Sequence, residues 1–189
     1  MQSVHFYPIA DEEYVADRAW ERAVLVVCPF HPGGGCGVAR HGSYPRVNPV
    51  GLRVARFWCP LAGSSISLLP SFLAARFSNT LDELEAAAEA AEGAPSVAAA
   101  ADATRPADAE DAVTSISAAR WLRRRLRPVR AALLALVTLV PELDGCMPSI
   151  TAIRARLGVA RALVALREIA MTHLGSLSPP LGVCARGGR

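Results

Sequence analysis

Between residues 24 and 58, apolar and polar positions alternate in short bursts separated by glycine and proline. Runs 24–27, 38–44 and 52–58 combine β-branched or aromatic residues with flanking turn signals, and each predicts a short strand. Before them, residues 13–22 carry the spacing of a helical turn or more. After Pro70 the apolar period lengthens to that of a helix. Thr80 and Glu83 make a capping box for a helix running to about residue 92, ended by Gly93. A second, Ala-rich helix is predicted at 96–104, and 105–113 reads as an acidic linker. Thr114 or Ser115 caps a helix running to Arg127, and Pro128 starts or kinks the next, which reaches Val140. Two last helices follow at 149–157 and 160–173, with Gly158 ending the first, and the tail after Pro179-Pro180 is expected to be loose. The pattern therefore predicts an α-rich (α+β) chain. A lead-in (1–23) precedes a small N-terminal β module (24–77), acidic Ala-rich helices and linker (78–113), a basic helical domain (114–178) and a tail (179–189). The helices together form a C-terminal bundle of about five to six.

Composition supports this. Of 189 residues 52% are hydrophobic but only 6% are aromatic, and 35 are alanine, so helices rather than a sheet sandwich should supply most of the core. The longest apolar run, 129–140, is broken by Arg130 and closed by Pro141, short of the roughly 20 residues a membrane span needs. Asp11, Glu12, Glu13 and Asp17 stand where the apolar segment of an export signal would be. Five cysteines, an odd number, fit a reduced, cytoplasmic setting better than a disulfide framework.

Charge changes the picture more. The net of +3 hides four blocks, and every basic residue is arginine. Residues 1–21 hold one Arg against five acids, 22–76 six Arg and no acid, 77–119 one Arg against nine acids, and 120–189 twelve Arg against three acids. Two basic modules flank an acidic middle, and the arginine fork suits phosphate and base edges.

Three cysteines fall in the β module. Cys28-Pro-Phe-His31 is a C-x2-H pair, Cys36 follows Pro32-Gly-Gly-Gly35, and Cys59 ends the third predicted strand. A tetrahedral zinc site needs four such ligands, and a tight turn after a strand presents two of them two residues apart. Glycines 33–35 and 37 let the backbone fold closely around an ion. Cys28, His31, Cys36 and Cys59 thus form a candidate Cys3His structural zinc site, with His41 as the alternative to His31. A Gly/Pro-rich segment with few aliphatic residues has little else to hold it together.

Cys28-Pro-x-His-Pro-x-Gly-Gly-Cys36-Gly, Arg40-His-Gly-x-Tyr44-x-Arg46, Val54-Ala-Arg-x-x-Cys59-Pro and Ser67-Leu-Leu-Pro-x-Phe72-Leu resemble bacterial zinc-ribbon proteins found with insertion-sequence transposases. The resemblance covers 28–77. It extends more loosely over 115–182 through Arg120-Trp-Leu-Arg-Arg-Arg, Leu133-Leu-Ala-Leu and Pro179-Pro-Leu-Gly, and it departs at Leu61-Ala62-Gly63, where the ribbon pattern has a second cysteine. It implies a zinc ribbon ahead of a helix-turn-helix-like region, DNA association and a mobile-element context.

Six arginines fall within residues 120–130. Ile116, Ala119, Leu122 and Leu126 form a stripe that can face a core, which turns Arg120, Arg124 and Arg127 outward with Arg123 and Arg130 on the flank. Such a face can neutralise several phosphates, or be covered by the acids of 77–119. Trp121 is expected to pack inward. Residues 150–169 offer a second candidate, with Ile153, Leu157, Val159 and Val164 at the apolar positions of a helix-turn-helix. Arg154 stands there where a small residue normally lets the helices approach, and a plain helical hairpin fits equally.

Catalysis finds little support. A transposase nuclease needs three converging carboxylates, and Glu142, Asp144 and Glu168 are the only acids of the C-terminal module. Gly33-Gly-Gly-Cys-Gly37 lacks the Lys of a phosphate loop, and Cys146 with His173 has nothing to orient it as nucleophile and base. The expectation is a non-catalytic DNA-binding protein of transposase-associated type, using a zinc ribbon with Arg40 and Arg46, and the arginines at 120, 123, 124, 127 and 130. A transposase or another protein is a candidate partner. The alternative is a protein-interaction adaptor with a structural zinc ribbon and no nucleic-acid binding.

Overall fold

The computed structural model describes residues 1–7, 11–103 and 115–183, and the chain divides into two compact units, residues 1–80 and 81–184. Among the described residues the fold is mixed α+β, with one four-stranded sheet, six α-helices and a helical C-terminal region. The acidic linker expected at 105–113, the cap at Thr114, the Ile116 side chain and the last six residues of the tail lie outside the described residues. The tail expected to be loose after Pro179-Pro180 is packed as far as it is described: Pro179, Pro180 and Leu181 are buried, and Val183 N donates to Leu174 O at 2.8 Å.

The first unit is built on strands β1 (Gln2–His5), β2 (Ala39–Pro45), β3 (Arg53–Cys59) and β4 (Ser64–Pro70), in the order β1-β4-β3-β2. β2–β3 and β3–β4 are antiparallel, while β1 runs parallel to β4, pairing Gln2 with Ser67 and His5 with Pro70. Alternation on β3 and β4 buries Ala55, Phe57, Ile66 and Leu68 on one face, and Val54 is buried on the other. Helix α1 (Asp11–Ala16) and a 3-10 turn (Ala19–Glu21) add Tyr14 and Trp20 to this core. The Tyr14 ring meets Tyr7, Phe72 and Trp20 with centroids 5.2, 5.5 and 6.0 Å away. Burial pushes its phenol pKa up. The lead-in is therefore part of the sheet's core.

The predicted strands at 38–44 and 52–58 are β2 and β3, but the one at 24–27 does not form. Val24, Val26 and Val27 are solvent-exposed there. β-branched residues favour extension, but a strand also needs a ladder partner. β4 takes β1 on its free edge instead, so both β1 and β4 escape a local reading.

The second unit holds helices α2 (Leu81–Gly93), α3 (Val97–Ala103), α4 (Ser115–Leu139), α5 (Ile150–Leu157) and α6 (Ala162–Ile169). The two helices expected around Pro128 are one, because α4 runs through it. The ring removes the bond to the Arg124 carbonyl and costs about 3 kcal/mol. Leu122, Leu126, Val129, Leu133 and Leu136 are all buried along the same stripe, and each contributes roughly 1.5–3 kcal/mol, so packing wins. Ser149 caps α5 by accepting from Ala152 N at 3.2 Å, and Gly158 ends it in the left-handed region at φ 64°. The helix expected to reach His173 stops at Ile169 and continues as a 3-10 turn, Met171–His173. No helix among the described residues is long and apolar enough to cross a membrane.

Candidate metal centre and basic face

Two tight turns and one strand end bring four ligand side chains together. Cys28 and His31 form a one-turn knuckle, with His31 N donating to Cys28 O at 3.0 Å. The chain then reverses through Gly34, Gly35 and Gly37, all at positive φ (82°, 73° and 66°), which carries Cys36 back to the knuckle. Cys59 ends β3, fully buried, and the following turn closes by Gly63 N donating to Pro60 O at 3.2 Å. That turn is closed one residue later than the one at Cys28, and Ala62 offers no ligand.

The ligand atoms of Cys28, His31, Cys36 and Cys59 all lie within 4.8 Å of one another. His31 Nδ1 is 3.3 Å from Cys59 Sγ and 3.8 Å from Cys28 Sγ. Ligands about 2.3 Å from a tetrahedral ion are ~3.8 Å apart, so the set is spaced closely enough that it could hold a metal ion. His31 rather than His41 is the fourth member, since His41 is exposed beside Trp58 on β2. Burial raises the Cys28 thiol pKa, but hydrogen bonds from His31, the Phe30 and His31 backbone and Cys36 outweigh it and bring the pKa down to about 6. Burial holds Cys36 above the usual thiol range. One ligand is therefore a thiolate at neutral pH before any metal arrives.

Arg40 and Arg46 of the same unit are tied to backbone. Arg40 donates to Trp20 O at 2.6 Å and to Ala23 O at 3.1 Å. Arg46 is half-buried, donates to Phe77 O, and has its pKa lowered by burial.

In the second unit the acids of α2 have a use their local sequence does not announce. Asp82, Glu85, Glu89 and Glu92 share one face of the helix. Buried Glu85 accepts from Ala162 N at 2.9 Å and Leu163 N at 2.7 Å, capping α6, and from Arg154 Nε at 2.8 Å. Glu92 accepts from Ile150 N at 2.7 Å and Thr151 N at 3.1 Å, capping α5. Asp82 pairs with Arg161 and Glu89 with Arg154, and the hydrogen bonds that Arg154 donates to Glu89 and Glu85 raise its pKa. The amide end of α6 is thus filled by the chain's own carboxylate. Arg154 answers a carboxylate pair instead of spoiling a helix crossing.

Arg120, Arg123, Arg124, Arg127 and Arg130 are exposed and make no ion pair among the described residues. At 100° per residue they span an arc of about 120° over some 15 Å of helix. Trp121 does not pack inward; it is 48% exposed, and the Arg125 guanidinium lies 3.7 Å from its ring centroid. Burial lowers the Arg125 pKa, against the charge of Glu83. Beside the arginine face, Val97, Leu126, Ala131 and Leu134 floor a groove of about 380 Å³ rimmed by Arg123, Arg127 and Arg130.

Cys146 donates to Met147 O at 3.5 Å and His173 is exposed in its 3-10 turn. Sequence reasoning missed the Glu85–α6 and Glu92–α5 caps, whose one signal is the spacing of the four acids along one face. No protein-family model, curated protein or solved structure matches the chain.

Proposed function

We propose that this chain is a non-catalytic DNA-binding protein in which a structural zinc ribbon, held by Cys28, His31, Cys36 and Cys59, accompanies an arginine face on α4. The observation that carries the reading is the division of charge in the second unit. Four of the five acids of α2, Asp82, Glu85, Glu89 and Glu92, serve α5, α6, Arg154 and Arg161, and Glu83 acts on Arg125. The other five arginines of α4 are exposed with no ion pair among the described residues. An uncompensated basic arc along one helix suits a phosphate backbone. Zinc is the metal this donor set suits best, because three thiols and an imidazole are soft to borderline ligands and four of them close a tetrahedron. The mobile-element setting rests on the motifs at 28–77.

The test is affinity for a random-sequence duplex across a salt series, with the intact chain. About four phosphate contacts give a slope near −3.6 in log K against log salt. Changing Arg120, Arg124 and Arg127 together to Ser should flatten the slope by about 2.7, to near −0.9. A flat line for the unaltered chain refutes the reading.

The groove floored by Leu126 and Leu134 favours a second reading, a protein-interaction adaptor. A stoichiometric protein complex that persists at high salt without DNA would establish it.

A further inference from the structure

The first unit holds a polar cleft away from the metal ligands, of about 570 Å³, within the size range of small-ligand sites. It is made by a break in the β2–β3 ladder. Arg40 pairs with Phe57 and Ser43 with Ala55, so β2 carries one extra residue there. Gly42, at φ 92°, supplies the conformation the bulge requires. The bulge opens a hollow between β2 and the 3-10 turn that carries Trp20.

Three guanidinium groups line it. Arg53 reaches over from β3 and is fixed by Ser43, donating to its Oγ at 2.9 Å and its carbonyl at 3.0 Å. Arg40 is fixed from the other side by the Trp20 and Ala23 carbonyls. Both are held by neutral groups, so their charges are not cancelled, and their remaining N–H groups have no partner among the described residues. Arg18, the third, is exposed and pairs at 2.6 Å with Glu21, the one acid in the cleft. An exposed pair of that kind is weak and yields to a stronger anion. The lining is therefore three positive charges against one negative, with two forks fixed in advance.

We propose that this cleft binds a phosphate group, either free phosphate or a backbone phosphate of a nucleic acid. Preoriented arginine forks match the tetrahedral oxyanion, and fixing them on backbone carbonyls removes much of the ordering cost of binding. The proposal does not rest on the α4 face, which belongs to the other unit.

The experiment titrates inorganic phosphate into the intact, isotopically labelled chain and follows the amides of Gly42 and Ser43 and the Nε–H signals of Arg40 and Arg53. Saturable shifts are expected. Arg18→Glu should weaken binding and Glu21→Gln should tighten it, each by at least about five-fold for a charge acting at short range. Both residues are exposed, so the fold survives either change. A second arm adds a short duplex to a chain in which Arg120, Arg124 and Arg127 are Ser. Shifts at the same signals assign the site to nucleic-acid phosphate, and shifts with inorganic phosphate alone assign it to the free anion. No saturable shift in either arm, equal shifts with sodium chloride at matched ionic strength, or an unchanged affinity in Glu21→Gln overturns the proposal.

Discussion

Glu85→Ala isolates the contact on which the charge division of the second unit depends. Its carboxylate is 2% exposed and accepts from two consecutive backbone N–H groups at the start of α6, at 2.9 and 2.7 Å. Removing it leaves the Ala162 and Leu163 donors buried without an acceptor, at a cost of about 1–3 kcal/mol each. Arg154 retains Glu89 and partial solvent access, so its share is small. The summed loss is about 2–6 kcal/mol, a large part of the roughly 5–15 kcal/mol that holds a domain together. Glu89→Ala is the internal control. Its carboxylate is 47% exposed and pairs with the same arginine, so its loss should stay below about 1 kcal/mol. Urea unfolding followed by far-UV circular dichroism, which the helices of 81–184 dominate, reads both. Glu85→Gln should fall between them, since one oxygen still accepts while the amide turns a donor towards N–H groups. A Glu85→Ala loss under about 1 kcal/mol, or one equal to that of Glu89→Ala, would refute the capping role.

Cys59→Ala should lose the roughly one bound zinc per chain that four ligands imply, read by metal analysis after desalting; full retention of metal would remove Cys59 from the site. Zinc affinity should fall with acid, because protons compete for the ligands. With Cys28 at about 6, it is a thiolate above that pH and adds one more proton to the competition below it. A chelator titration should therefore show the slope of log Kd against pH steepening by about one as pH drops through 6. Arg167→Met should destabilise the second unit by about 3 kcal/mol or more by leaving buried acceptors unpaired, since Arg167 is fully buried and donates to the Leu181 carbonyl at 2.9 Å and to that of Pro180. Burial lowers its pKa to about 9, so it is charged at neutral pH, and a Tm shift in thermal unfolding checks the loss. Pro128→Ala should stabilise α4 by up to about 3 kcal/mol by restoring the bond to the Arg124 carbonyl, and a fall in Tm would show that the helix is shaped around the proline.

The sequence by itself determined whatever depends on neighbours within a few residues. The stop at Gly158, the stripe through Ala119, Leu122 and Leu126, the outward arginines and the strands at 39–45 and 53–59 were legible, because helix and strand periods are local. So was the Cys28, Cys36 and Cys59 set, since a knuckle turn imposes its own spacing. Tertiary structure decided the rest. It placed β1 against β4 and left 24–27 without a partner, because a strand exists only when some edge, however distant in sequence, accepts it. It selected His31 over His41, since the backbone path after the knuckle sets which imidazole meets Cys59. It carried α4 through Pro128, where burial along the whole stripe outweighs one lost hydrogen bond. It also set Glu85 and Glu92 of α2 on the starts of α6 and α5 instead of on the nearby arginines, because a carboxylate gains most where buried N–H groups have no other acceptor, and only the packed chain shows where those are.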